Sequence, residues 1–229
     1  MKNTLYLLFT FLLFQTSLHA QKNAEDYLGS WYTLGINHRF TEHFSITPYA
    51  ELHLYEPTSN YNLTFASLNG NYHLKDNQTI TLAYAYLDID SVFDTDNKPN
   101  TIEHRILEQY VIKHKFNEIN VQHRFRLEQR FLEMTTGNEM QNRIRYRLSL
   151  KYPLNKTFYL SLKEEPFVNF QDEAFHENRF FIGFGIHILK NTQLSVDYFK
   201  HHIKNNNLNR IQIGISIKTD SRQPKPLTN

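Results

Sequence analysis

Apolar and polar residues alternate along most of the chain that follows residue 26. Between residues 119 and 132, for example, Val121 and Phe125 lie on one face of an extended chain, and Arg124 and Arg126 lie on the other. A period of two residues is typical of a β-strand with one apolar face, whereas an amphipathic helix repeats every 3.6 residues. No segment after residue 26 keeps the helical period for long, so the alternation predicts an all-β fold.

Eleven strands result when one strand is placed wherever the alternation holds. Their predicted ranges are 27–40, 43–56, 61–74, 78–90, 102–115, 118–134, 140–153, 157–170, 177–189, 192–203 and 208–218. Tight turns rich in Asn, Asp and Lys are predicted at 41–42, 75–77, 116–117, 155–156 and 190–191. Longer polar loops are predicted at 57–60, 91–101, 135–139, 171–176 and 204–207. This series of hairpins predicts an antiparallel up-and-down meander without crossover helices.

The predicted strands are 11 to 17 residues long, which favours a membrane barrel over a soluble sandwich. A membrane-spanning strand needs about 9 to 11 residues, whereas strands of soluble proteins usually have about 5 to 6. Aromatic residues gather near the predicted strand ends, as at Phe40, Tyr55, Phe116 and Phe170. Outer-membrane barrels carry aromatic girdles at these levels. We therefore expect a transmembrane β-barrel, and a soluble periplasmic β-barrel binding protein is the alternative.

The strand number depends on how the barrel closes. Single-chain bacterial outer-membrane barrels have even numbers of strands. We therefore expect about twelve strands, with residues 21–29 adding a short one, and ten strands is the alternative. The apolar pattern also changes face at 65–68 and 106–107, where a β-bulge would restore it.

The first 20 residues predict a secretory signal peptide. Lys2 precedes an apolar run from Leu5 to Phe14, which is about half of the roughly 20 residues that a transmembrane helix needs. No Cys follows the run for lipid attachment. We expect export through the Sec pathway to the outer membrane. The predicted organisation is a signal peptide at 1–20, a barrel domain at 21–218 and a disordered C-terminal tail at 219–229.

The composition of the 229 residues narrows the class of protein further. A mean hydropathy of −0.56 is too polar for a bundle of membrane helices, and 40% hydrophobic residues are too many for a disordered chain. The formal net charge of +2 gives no general field for holding nucleic acid, so we expect no nucleic-acid partner. The absence of Cys excludes a disulfide scaffold and thiolate metal sites.

Six arginines fall at alternate positions of two neighbouring predicted strands, with one glutamate among them. Such close like charges need compensation, and Glu51, Glu165 and Asp197 are the expected partners from across the lumen. One interpretation is a salt-bridge lattice that fills a narrow lumen. The other is a wall that attracts a small anionic solute, such as a phosphate, a carboxylate or an acidic saccharide. The candidate binding residues of this lumen charge network are Arg124, Arg126, Glu128, Arg130, Arg143, Arg145, Arg147, Glu165, Arg179 and Glu51.

Neither catalytic nor metal-binding residues are predicted. A barrel-type hydrolase needs a Ser beside a His, and Ser45 shares a face with His43, but His43 lies in a turn. His201 and His202 point to opposite faces of one strand, so they do not form a metal site together. We expect no enzymatic activity and no cofactor. An outer-membrane lipid-modifying enzyme is the alternative.

Five segments carry a resemblance to a known family. They are LGSWYTLGINHRFTEHFSITPYAE at 28–51, EHRILEQYVI at 103–112, QHRFRLEQRF at 122–131, NRIRYRLSLKYPL at 142–154 and NRFFIGFGIHI at 178–188. Over roughly residues 27–218, the chain resembles the domain-of-unknown-function family 2490, secreted proteins of Gram-negative bacteria of the Bacteroidota type. The resemblance implies an outer-membrane-type barrel without an assigned activity. The matching arginine-rich strand pair comprises His123, Arg124, Arg126, Glu128, Arg130, Arg143, Arg145 and Arg147.

The sequence therefore predicts an outer-membrane β-barrel that is a structural or binding protein, or a narrow pore with an arginine-rich lumen. A barrel of about twelve strands lies below the 16 to 18 strands of open porins. Outer-membrane lipid is the expected surrounding partner. The chain departs from many outer-membrane barrels because it continues past Lys218 instead of ending on an aromatic residue.

Overall fold

A computed structural model describes residues 23–93, 99–171 and 173–222. A short 3-10 helix at Ala24–Asp26 precedes eleven strands. The strands are β1 (Leu28–Arg39), β2 (Phe44–Leu54), β3 (Tyr61–Lys75), β4 (Gln78–Ile89), β5 (Thr101–Phe116), β6 (Ile119–Met134), β7 (Gly137–Pro153), β8 (Phe158–Asn169), β9 (Glu177–Leu189), β10 (Thr192–Ile203) and β11 (Asn206–Asp220). Among the described residues, no helix is long and apolar enough to cross a bilayer.

The strands form one closed barrel in which each strand pairs antiparallel with the next. The all-β up-and-down barrel expected from the sequence is confirmed. The barrel closes between β1 and β11, which run parallel from Leu28 opposite Asn209 to Arg39 opposite Asp220. It has eleven strands where about twelve were expected, because residues 24–26 form the 3-10 helix instead of a further strand. With an odd number of strands, the first and last strands point the same way and pair parallel.

Each strand begins and ends within three residues of its predicted bounds. The last strand, β11, extends to Asp220 and thus includes the first two residues of the predicted tail. Residues 223–229 of that tail, and the predicted signal peptide at 1–20, lie outside the described residues.

The connections between strands fall into two sets at opposite ends of the barrel. The short-turn end carries the turns at 40–43, 76–77, 117–118, 154–157 and 190–191. The long-loop end carries the connections at 55–60, 90–100, 135–136, 170–176 and 204–205. Two of the latter, expected as longer loops at 135–139 and 204–207, are two-residue turns. Lys204 at φ 51° and Gly137 at φ 128° supply the left-handed backbone that such tight hairpins use.

The β-bulges expected at 65–68 and 106–107 are wrong, because the pairing register runs unbroken through both segments. Phe65 and Leu107 point into the lumen and belong to one buried apolar cluster. The apolar pattern changes there because the inner wall itself becomes apolar, while the backbone keeps its register. The cluster consists of Phe65, Ala83, Ala85, Leu87 and Leu107.

Large apolar side chains cover the outer face of the barrel. Leu82 is 60% exposed, Ile182 58% and Leu68 54%. The alternate positions of β4 and β9 are buried inside. A barrel with an apolar outer face and a charged interior reverses the arrangement of a water-soluble protein.

Candidate functional site

The lumen holds all ten candidate binding residues, buried or half-buried on the inner wall. Most of them belong to one group of hydrogen-bonded ion pairs in the long-loop half of the barrel, the charge lattice. The charge lattice consists of Glu103, Arg105, Arg124, Arg126, Glu128, Arg130, Arg143, Arg145, Glu165, Glu177, Arg179 and His201. Whether these residues bind a solute stays a prediction.

Glu128 is the centre of the charge lattice. It is 0% exposed, and its carboxylate contacts four arginines. Arg143 Nε and Nη2 lie 2.8 and 2.6 Å from Glu128 Oε2, and Arg145 Nη1 lies 2.7 Å from Oε1. Arg105 Nη1 and Arg126 Nη1 are each 3.6 Å from Oε1. One carboxylate thereby connects β5, β6 and β7.

Glu103 and Arg105 are lattice members that the sequence analysis missed. Arg105 Nε donates to Glu103 Oε1 at 2.6 Å. Arg130 grips the same carboxylate with Nε at 2.9 Å and Nη2 at 2.8 Å. Both missed residues lie on the inner face of β5, whose alternation is obscured because Leu107 and Val111 share that face. Pairing β5 with the arginine strand β6 is the signal that would have found them.

The three carboxylates expected to pair with the arginines behave differently from one another. Glu165 accepts from Arg145 Nε and Nη2 at 3.0 and 2.8 Å, and also from Arg124 Nη2. Glu51 instead bonds its own neighbours on β2, the Tyr49 hydroxyl and the His53 ring, each at 2.6 Å. Asp197 bonds Lys163 Nζ and the Ser161 hydroxyl, each at 2.9 Å. The expected pairing with arginine therefore holds for Glu165 and is wrong for Glu51 and Asp197.

Glu177 is a further carboxylate that the sequence analysis missed. It is the first residue of β9 and is almost completely buried. Its carboxylate contacts Arg143 Nη1 at 3.3 Å and His201 Nε2 at 2.8 Å, and it pairs with Arg179 Nη2. Glu177 thus links β7, β9 and β10 at the long-loop end. Its position beside a predicted loop gave no indication that it faces the lumen.

Aromatic rings fill the space between the guanidinium groups. Phe167 is 0% exposed, with the Cζ atoms of Arg143, Arg145 and Arg179 at 4.9, 4.5 and 4.7 Å from the ring centroid. Arg179 Cζ also lies 4.8 Å from the ring of Trp31. A cation over a ring face is attracted by the ring quadrupole. The rings therefore pack the lattice and stabilise arginines that stand close together.

Arg147 and Lys151 lie on the same inner face of β7 but form no ion pair within the described part of the chain. Arg147 stands directly opposite Arg124 in the β6 and β7 register. Its Nε is buried without a hydrogen-bond partner among the described residues. Four carboxylates thus pair with the seven arginines of the charge lattice, whereas Arg147 and Lys151 extend the positive charge toward the short-turn end without an ion pair among the described residues.

Serine and histidine do meet in the lumen, although the spacing along the sequence gave no such pair. Ser45 Oγ lies 2.9 Å from His73 Nε2, and His73 Nδ1 lies 3.2 Å from Thr79 Oγ1. Side-chain amides of Asn37 and Asn71 donate to Ser45 Oγ at 3.0 and 3.2 Å. A hydroxyl thus holds the position that an acid occupies in a catalytic triad. Within the described ranges, no three His, Asp or Glu side chains gather as a metal site.

A family model described as "Protein of unknown function (DUF2490)" matches residues 28–212. The chain belongs to this family. The match begins at the first residue of β1 and ends within β11, so DUF2490 corresponds to the barrel itself. No curated protein matches the chain significantly.

The barrel is similar to a solved structure described as the NanC porin in a rhombohedral crystal form. The TM-score is 0.50 at 12% sequence identity, and the similarity covers 83% of this chain and 98% of the porin chain. This DUF2490 member therefore shares a porin-like barrel fold.

Proposed function

We propose that the protein is an outer-membrane β-barrel whose lumen is closed by the charge lattice, so that it acts as a structural or binding protein and not as an open pore. The observation that carries this proposal is the complete burial of Glu128 among four arginines. A carboxylate that is 0% exposed has no contact with solvent. This burial supports a lumen that is filled by side chains at this level.

The outer face supports a location in the membrane. Soluble monomers rarely expose contiguous apolar patches larger than a few hundred Å². Here more than half of the surface of Leu82, Ile182 and Leu68 is exposed. Phe116 at the short-turn end is 65% exposed, and Phe170 at the long-loop end is 56% exposed. These rings lie where an interfacial girdle would contact the headgroup layers on the two sides of a bilayer.

The geometry of the ion pairs supports a stable closed lumen. Arg143 holds Glu128, and Arg130 holds Glu103, through two nitrogens each. Arginine–carboxylate hydrogen bonds are charge-assisted and among the strong ones in proteins, and the pair of Arg130 with both oxygens of Glu103 is also bidentate. Leaving one partner of a buried pair uncompensated typically costs about 3–5 kcal/mol. An open lumen would require several such pairs to separate, so the closed form is favoured.

Cell fractionation followed by gel electrophoresis with and without boiling tests the location. We expect the protein in the outer-membrane fraction, with a band that shifts on boiling because a folded barrel resists detergent. Leu82→Arg should reduce membrane assembly, since a cation at the lipid face costs about 2–4 kcal/mol near the bilayer centre. Glu118→Arg, in the exposed turn between β5 and β6, is the matched control and should assemble normally. A soluble protein whose band does not shift would contradict the proposal.

A further inference from the structure

A polar chamber of about 250 Å³ lies inside the barrel, between the charge lattice and the short-turn end. Its walls come from β1, β2, β7, β8, β10 and β11. Six of the twelve lining residues carry a hydroxyl and two carry a side-chain amide, and Lys151 is the charged member among the described residues. Lining side chains include Thr33, Asn37, Thr47, Lys151, Ser195 and Ser216.

Glycine keeps the chamber open at its most crowded wall. A Cβ added to Gly214 would lie 2.7 Å from Thr33 Oγ1 and 3.2 Å from Ser195 Oγ. Real Cβ atoms essentially never approach a neighbour as closely as 2.7 Å, so a larger residue at this position would displace the Thr33 hydroxyl and crowd that of Ser195. The absence of a side chain at Gly214 therefore leaves room for both hydroxyls at the chamber wall.

The charges around Lys151 do not balance. Lys163, Lys218 and Arg147 are its neighbouring cations, and Asp197 is the neighbouring carboxylate. Asp197 is already bonded to Lys163 Nζ at 2.9 Å. Glu165, the carboxylate that acts on Arg147, is likewise already paired, with Arg124 and Arg145. Lys151 and Arg147 thus form no ion pair of their own among the described residues, in an interior where an uncompensated charge is costly.

We propose that the polar chamber is a binding site for a small oxyanion, a carboxylate or a phosphate, with Lys151 as its charged ligand. Lys151 Nζ would donate to the anion, and the hydroxyls of Thr47 and Ser195 would donate to its other oxygens. Arg147 lies on the same inner face of β7, four residues before Lys151, and adds a second positive charge. The chamber is smaller than the roughly 300–1,000 Å³ of pockets for drug-sized ligands, so it selects small solutes.

This inference goes beyond the closed lumen and does not depend on it, because the chamber lies outside the charge lattice. Binding is measured on the full barrel folded into detergent micelles, and conductance is not part of the readout. A leaking barrel that binds the anion would contradict the closed lumen alone. A closed barrel that does not bind it would contradict the chamber alone.

Isothermal titration with inorganic phosphate and, in a separate arm, with acetate tests the site at constant ionic strength in chloride buffer. We expect saturable binding of at least one of the two anions, and the two arms distinguish phosphate from carboxylate as the preferred group. Lys151→Gln should weaken the binding about tenfold or more, the effect of losing one charge-assisted hydrogen bond. Lys156→Gln removes the same charge from an exposed turn at the same end of the barrel and should leave the binding unchanged.

A second variant tests anion binding in the chamber independently, in case Lys151→Gln does not fold. Ser195→Asp places a carboxylate inside the chamber, where it should compete with the added anion and provide the missing counter-charge. We expect this variant to lose anion binding and to unfold at a higher temperature than the wild type. Absence of saturable binding to the wild type, or equal weakening by Lys151→Gln and Lys156→Gln, would overturn the proposal. Unchanged binding by Ser195→Asp would overturn it as well.

Discussion

Glu128 and Arg143 face each other directly across the β6 and β7 pair, and two nitrogens of the guanidinium grip one oxygen of the carboxylate at 2.8 and 2.6 Å. The other oxygen of Glu128 lies 2.7 Å from Arg145 Nη1. Arg143 and Arg145, successive residues on the inner face of β7, are thereby both bound by a single carboxylate on β6. Without that acid, the two guanidinium groups would repel each other in a buried setting.

Replacement of Glu128 by Gln should therefore destabilise the barrel strongly. Four arginines would lose their shared negative charge while remaining buried. Removing one partner of a buried ion pair typically costs about 3–5 kcal/mol. The free energy of unfolding, measured by urea titration of the barrel in lipid vesicles, should fall by about this amount. Glu118→Gln in an exposed turn should change it by less than about 0.5 kcal/mol, and similar losses in the two variants would disprove the central role of Glu128.

The parallel closure of the barrel predicts a specific cross-link. Leu34 on β1 lies opposite Ile215 on β11, and both side chains are on the outer face. The chain contains no Cys, so Leu34→Cys with Ile215→Cys creates one possible intramolecular disulfide. Neighbouring strands bring paired Cα atoms within the range of about 4.4–6.8 Å that a disulfide spans. We expect oxidation to change the mobility of the unfolded chain on a non-reducing gel.

The control for this cross-link is Leu34→Cys with Ile211→Cys. Ile211 lies on the same face of β11, four residues from Ile215, which is about 13 Å along a strand. This pair should not form the disulfide under the same conditions. A barrel of twelve strands, with residues 21–29 inserted between β1 and β11, would give no cross-link in either pair.

Replacement of the exposed Glu108 tests whether the outer face of the barrel contacts lipid or water. Glu108 lies on the outer face of β5, between Leu82 on β4 and Leu127 on β6. An acid at a lipid face costs less than the about 2–4 kcal/mol of a lysine or arginine. Glu108→Leu should therefore raise the free energy of unfolding in lipid vesicles by about 1–2 kcal/mol. Glu118→Leu should not raise it, and an unchanged stability in both variants would favour a water-facing outer wall.

The loop histidine His176 predicts a dependence of stability on pH. Burial lowers the pKa of His176 below its ordinary value of 6.5; Glu177 opposes this effect, whereas Arg143 adds to it. Asn169 Nδ2 lies 3.2 Å from His176 Nε2, in a position to donate to the neutral ring. The unfolded chain takes up the proton on His176 more readily than the folded chain does. The free energy of unfolding is therefore unaffected by His176 above about pH 6.5 and falls as the pH decreases below it.

Urea unfolding between about pH 8 and pH 5 measures this contribution. His176→Gln should lose less stability over this interval than the wild type does. His43→Gln, in the exposed turn between β1 and β2, is the comparison variant and should follow the wild type. Identical pH profiles for the wild type and His176→Gln would show that His176 does not contribute.

The alternation predicted the strands and their inner faces because both are local properties of an extended chain. Arg124, Arg126 and Glu128 differ by two positions, so they necessarily share a face of β6. The burial of Glu128 and the exposure of Phe125 agree with this assignment. The same rule placed the arginines of β7 beside them.

Contacts between distant strands could not be predicted in the same way, because they depend on register, closure and side-chain length. Arg124 on β6 reaches Glu165 on β8, and Arg143 on β7 reaches Glu177 on β9. Nothing in the spacing of these residues along the sequence marks them as partners. The parallel pairing of β1 with β11 was missed for the same reason, since alternation specifies the faces of a strand and not its neighbours.

The conductance of the wild-type barrel in planar lipid bilayers tests the central claim, the closed lumen, most directly. The burial of Glu128 among four arginines predicts that insertion of the folded barrel gives no steady ionic current. Insertion is verified in parallel vesicles by the band shift on boiling. Discrete current steps from the inserted wild-type protein would contradict a lumen closed by the charge lattice.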